Sequence, residues 1–208
     1  MRVSAALALW VLISTCAEAG LAERVERAMV AGMQVFAYRT AVEDEVIIRG
    51  ALPAGDVFSA PANPAVATLV AGMLDKGTET YGKFEIAQKL AEVGATISFS
   101  AEEEVVTFQV RTLKSDLPLV LSILAQELRS PAFQQGELDK FKVQLTGALR
   151  RDLDETDVRA TEALNLLIYP MGHPNRPATL ERLIAGVQAA TVDDLRRFHV
   201  AHYGPSHL

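Results

Sequence analysis

Between Gly32 and Leu113 the apolar residues change period twice, and this limits the fold more than any other feature of the chain. They first alternate, then recur at helical spacing, then alternate again. A chain with that pattern is neither a helical bundle nor a pure sheet, because period 2 and period 3.6 present different faces. Gly32 to Arg39 alternates around Met33, Val35 and Ala37, and Asp44 to Leu52 contains Val46-Ile47-Ile48. These two segments are expected to pair as antiparallel strands. Pro53 to Pro64, with three prolines and Gly55, is a turn-rich connection. A helix from Pro64 to Asp75 follows, stopped by Lys76-Gly77. The next, Phe84 to Val93, sets Phe84, Ala87, Leu90 and Ala91 on one face, with Gly94 as a left-handed cap. Ala95 to Ser100 and Val105 to Leu113 then read as a hairpin, the second arm burying Val106, Phe108 and Val110.

Helical spacing holds from there on. Ser115-Asp116 and Pro118 open a helix with the stripe Leu117, Leu121, Leu124, Leu128, ended by Ser130-Pro131. Gln134 to Leu153 carries Leu138, Phe141, Leu145, Leu149 and Leu153. Ala160 to Tyr169 leads to a loop, Pro170 to Pro177. Leu180 to Val187 is followed by a helix capped by Thr191 with Asp194 three residues on. The order predicts an α+β domain, an antiparallel-rich sheet with helices packed on it.

At 208 residues and 50% hydrophobic the chain is long enough to bury a real core, and its net charge of -6 argues against a nucleic-acid partner. Residues 1–19 read as a signal peptide. Arg2 supplies the positive start, Ala5 to Ile13 the apolar run, and Ala17-Glu18-Ala19 the small residues before cleavage at Gly20. The run is shorter than the ~20 residues of a membrane span. The expectation is export, to the periplasm in a bacterium, with no membrane span in the mature chain and a single domain over 20–208. The only cysteine, Cys16, lies in the leader; Thr15 before it is a poor residue for lipoprotein cleavage. The mature domain therefore has no disulfide, whatever its compartment.

The segment Ala67 to Thr78, ATLVAGMLDKGT, resembles the helix of the pitrilysin/insulinase zinc peptidases, where A-H-L-x-E-H-M-L-x-K-G-T is a common form. In that family H-x-x-E-H supplies two zinc ligands and the catalytic base. Here Thr68, Ala71 and Gly72 stand at those positions, while Met73, Leu74, Lys76, Gly77 and Thr78 remain. Lys83 to Gly94, Ala95 to Ser100, Leu113 to Phe133, Gly172-His173-Pro174 and Thr191 to Pro205 are similar, in the same order, to later family segments. The family's third ligand, a glutamate, falls near Gly147 to Arg150, where no acidic residue occurs between Lys140 and Arg151. A catalytic zinc takes three protein ligands and an open position. No catalytic, cofactor-binding or metal-binding residue is therefore assigned. The resemblance also implies a further apolar strand after the Tyr203-Gly204-Pro205 segment, and so a domain incomplete at 208.

Other clusters carry less. His199 and His202 are i,i+3 on one helix, with no glutamate between them, and read as structural histidines; His173 is expected to order its loop. Glu102-Glu103-Glu104 reads as a solvated hairpin tip, and the acidic and basic run from Arg150 to Glu155 as a solvated helix end. There is no phosphate-binding glycine loop and no G-x-S-x-G. The resemblance implies a non-catalytic member that pairs with a zinc-bearing subunit or half and encloses peptide. The alternative is a structural or assembly subunit sharing the fold, and no residue pattern supports an unrelated active site.

Overall fold

A computed structural model describes residues 24–30, 32–59, 61–173 and 175–204. The signal-peptide segment and His207 lie outside them. Described in chain order are β1 (Val25–Val30), β2 (Met33–Tyr38), β3 (Glu45–Leu52), α1 (Val66–Met73), α2 (Lys83–Glu92), β4 (Thr96–Ala101), β5 (Val106–Leu113), α3 (Leu117–Arg129), α4 (Gln135–Asp154), α5 (Thr156–Ile168), α6 (Leu180–Ala189) and α7 (Val192–His202). The α+β expectation holds.

The strand pairing differs from expectation. β2 does not pair with β3. It folds back on β1, from Val25↔Tyr38 to Val30↔Met33, around Gly32 at φ 89°. A tight reversal at Gly32 leaves β2's partner local. β3 instead joins β5, which also holds β4, in the order β3-β5-β4, both pairs antiparallel. The hairpin β4–β5 was legible. β1 was not, because Val25 to Val30 mixes two charges into a short run.

Val106 and Val110 of β5 point from this sheet into the core. Against them lies α1, whose Val66, Ala67, Leu69, Val70, Ala71 and Met73 are all buried. A helix that is apolar all round belongs in the interior. Here α1 touches β4 on one side and α4, α6 and α7 on the others. It ends in a 3-10 turn, Leu74–Lys76, and Gly77 at φ 119° then turns the chain away.

Two helices are rotated from the expected faces. On α2, Phe84 is 83% exposed, while Ile86, Leu90 and Val93 meet the core. On α3, Leu121 is exposed and Val120, Ile123, Leu124, Glu127 and Leu128 are buried. α5 begins four residues before Ala160. Arg176 closes its far end by donating to the Leu166 carbonyl at 2.6 Å and to that of Tyr169. Gly94 adopts φ 62° as a left-handed cap, and Thr191 and Asp194 bond reciprocally as a capping box.

Candidate functional site

The site that relatives would use is centred on α1. Thr68, on its first turns, donates its hydroxyl to Asp56 Oδ1 at 3.1 Å. Asp56 opens a 3-10 turn, Asp56–Phe58, that is fastened by its backbone to the β4–β5 turn. The Asp56 and Val57 amides donate to the carbonyls of Glu102 and Glu103, both at 2.9 Å, and Gly55 donates to Glu104 at 3.3 Å. Burial raises the Asp56 carboxyl above the ordinary range; the Thr68 bond opposes this and the Glu103 charge adds to it. The Glu102–Glu104 side chains are exposed, as expected of a hairpin tip, but their carbonyls position Asp56.

Ala71, buried, offers only a methyl group. Gly72 faces Phe141 of α4: a Cβ built on Gly72 would lie 2.2 Å from Phe141 Cζ and 2.4 Å from Cε1. The ring therefore lies where any side chain at position 72 would start. Farther along α4, Leu149 packs on the core beside Gly147 and Ala148. A zinc ion does not fit this arrangement. One ligand position is a hydroxyl bonded to a carboxyl, the second is covered by an aromatic ring, and the stretch Gly147 to Arg150, where the third is implied, holds no acidic residue.

The histidines serve packing. His199 Nε2 hydrogen-bonds the Leu128 carbonyl at 2.9 Å, and its ring meets Phe133 edge-on and stacks on Tyr203. Burial lowers its pKa, with the Leu128 bond opposing. His202 packs between Phe58 and Phe198, at centroid distances of 5.2 and 4.5 Å. His173 packs on Tyr169 and accepts from the Asn175 amide at 3.1 Å, which orders the loop. Among the described residues no three His, Cys, Asp or Glu side chains are grouped to hold a metal. Asp56 and the Phe141–Gly72 contact were not read from the sequence; an aspartate in a Pro-rich connection and one more apolar residue in a stripe carry no distinguishing signal.

The outer face of the three-stranded sheet is a second feature. Two cross-strand rows, Arg49–Gln109–Ser98 and Ala51–Thr107–Ser100, line a groove of about 660 Å³. β4 and β3 form the two edges of that sheet.

Comparison with known proteins places the chain. The profile for Insulinase (Peptidase family M16) matches residues 35–171. This chain belongs to that family. An uncharacterized zinc protease of Streptomyces coelicolor is 27% identical over 141 residues, 65% of this chain and 29% of that protein. The mitochondrial-processing peptidase subunit alpha-1 of Dictyostelium discoideum is 31% identical over 85 residues, 41% of this chain and 13% of the relative. Among solved structures, the peptidase M16 inactive domain from Pseudomonas fluorescens superposes with a TM-score of 0.75 at 20% identity, over 84% of this chain and 42% of that one. The periplasmic protease PqqL from Escherichia coli gives a TM-score of 0.78 at 19% identity, over 88% of this chain and 21% of PqqL. The chain thus spans less than a third of the length of these curated relatives. No helix among the described residues is long and apolar enough to cross a membrane.

Proposed function

We propose that this chain is a non-catalytic, zinc-free half of an M16 peptidase, which walls a peptide chamber opposite a zinc-bearing half or subunit. The observation that carries the reading is the state of α1. Its helix is kept at the centre of the core, yet Thr68 is bonded to Asp56 and Phe141 covers Gly72. The likeness to a domain described as inactive, and to a protease with more than twice this length, supports a partner half. For peptide, β4 is an edge strand among the described residues, to which an extended segment adds as a further strand. The groove beside it carries Arg49, Gln109 and serine hydroxyls that bond peptide amides and carboxylates. Residues 1–19 act as a cleaved signal peptide, residues 20–208 form the peptidase-family domain, and the compartment is the periplasm, that of PqqL.

The test is metal content and peptide hydrolysis of the purified mature chain, alone and with a zinc-bearing M16 protein from the same genome. The expected result is no stoichiometric zinc and no cleavage alone, with copurification and cleavage by the pair. Stoichiometric zinc with chelator-sensitive cleavage by the chain alone would overturn the reading.

A further inference from the structure

Glu127 of α3 is an acid at an apolar position. Its side chain has no exposure to solvent, and neither carboxyl oxygen has a hydrogen-bond partner among the described residues. A carboxylate taken out of water without partners is costly enough that the group keeps its proton instead. Burial pushes the Glu127 carboxyl up to about 8, and the charge of Asp75 adds to it.

The chain on either side of these two acids is stitched together. Two residues past Asp75, the Gly77 carbonyl accepts from the Ala132 amide at 2.9 Å. Glu79 donates to the Ser130 carbonyl at 3.0 Å, Thr78 bonds Gln126 at 3.3 Å, and Thr78 bridges Pro131. This seam holds the end of the α1 segment to the end of α3. Few other charges face it. Lys76, on the same turn as Asp75, pairs with Asp75 at 2.9 Å. His199 of α7 bonds the neighbouring Leu128 carbonyl at 2.9 Å, and burial lowers its pKa. β5 turns Val106, Val110 and Thr112 inward, and its Arg111 pairs with Glu45 on the other face.

We propose that Glu127 is a proton-operated latch on this seam. With its proton in place, the 3-10 turn Leu74–Lys76 stays docked on α3. With the proton lost, an unpartnered carboxylate is left in the core within reach of the half-exposed Asp75 charge, and the seam opens. The turn ends the helix that carries the zinc motif in relatives, so the latch couples pH to the seating of that helix.

The sign follows from the two states. In the opened state Glu127 titrates at its ordinary value, near 4.5; in the closed state it does so near 8. Between those values the closed state binds more protons, so closure is strongest at low pH and is lost as pH rises through about 8. The experiment is amide exchange at Glu79 and Ala132 in the full chain across about pH 5 to 9, corrected for intrinsic exchange. The expected wild-type result is an opening constant that rises up to about tenfold per pH unit and levels off above about 8. Glu127→Gln, which keeps the shape and cannot ionise, is expected to abolish that rise. Asp75→Asn is expected to keep the rise but level off at lower pH. A flat wild-type profile, the same rise in Glu127→Gln, or an Asp75→Asn profile that levels off where wild type does would overturn the proposal.

Discussion

Gly72→Ala tests the contact of Phe141 with position 72, where the family's motif has a histidine. Position 72 has ordinary helical backbone, not the left-handed conformation that only glycine favours. On propensity alone, alanine in a helix interior gains about 1 kcal/mol over glycine. Against this, the new Cβ would lie 2.2 Å from Phe141 Cζ, so the ring must retreat by more than about 1 Å from contact distance. Overpacking of this kind costs about 1–3 kcal/mol. The expected net effect is a loss of about 1 kcal/mol, read as a lower denaturant midpoint at unchanged slope. Phe141→Ala alone loses about 2 kcal/mol, below the range for a fully buried phenylalanine because the ring is only partly buried. In the Phe141→Ala background the obstacle is gone, and Gly72→Ala should then stabilise by about 1 kcal/mol. The coupling energy is therefore about 2 kcal/mol, well outside the ~0.3–0.5 kcal/mol scatter of independent sites. Additivity, or a stabilising Gly72→Ala in wild type, would refute the contact.

Other substitutions probe the elements around the site. Gly55→Ala would set a Cβ 2.5 Å from the Glu102 carbonyl oxygen and the Val105 nitrogen, both backbone, and is expected to cost about 3 kcal/mol; an unchanged melting temperature would show that the Asp56 turn is not held by the β4–β5 turn. Leu69→Ala, at a side chain with no exposure in the middle of α1, should cost about 3–5 kcal/mol by calorimetry. Thr191→Ala should cost about 1 kcal/mol, and adding Asp194→Ala should cost less than the sum, since the two side chains form one capping box. Arg176→Met should speed amide exchange in the last turn of α5 while leaving α7 unchanged.

What could be read from the sequence followed a simple rule. Elements whose signal is local were found: the β4–β5 hairpin, Gly94 as a cap, the Thr191 capping box and the Leu138-to-Leu149 stripe of α4. Elements whose placement depends on a distant partner were not. β2 could pair with either neighbour, and only the Gly32 reversal decided for β1. On α2, two sets of apolar residues fit helical spacing equally well, and packing chose Ile86 over Phe84. On α3 the error has a chemical cause. Counting Glu127 as polar turns the stripe towards Leu121, while the fold buries Glu127 and exposes Leu121. That Thr68, Ala71 and Gly72 stand where the family's motif has its ligands and base was plain from the sequence. What had taken their place, a carboxyl from a loop and a ring from α4, required the tertiary structure.

The loss of a zinc motif with retention of its helix has a physical basis in where α1 lies. Most positions of that helix are fixed by packing. Val66, Leu69, Val70 and Met73 are buried against the sheet and against α4, α6 and α7, and replacing any of them would open a cavity. The ligand positions are under a different constraint. Imidazoles and a carboxylate in a core need a metal or hydrogen-bond partners, and with neither they are unpaired polar groups in a low-dielectric interior, which costs stability. Groups that need no metal avoid that cost. A methyl at Ala71, a hydrogen at Gly72 with a phenyl ring against it, and a hydroxyl at Thr68 with a carboxyl to receive its proton all meet that requirement. By the same reasoning, Thr68→His with Gly72→His would leave two imidazoles and no third ligand, with Phe141 still across the second. Such a chain should melt at a lower temperature and carry no stoichiometric zinc by metal analysis, and a doubly substituted protein that held one zinc per chain would refute the argument.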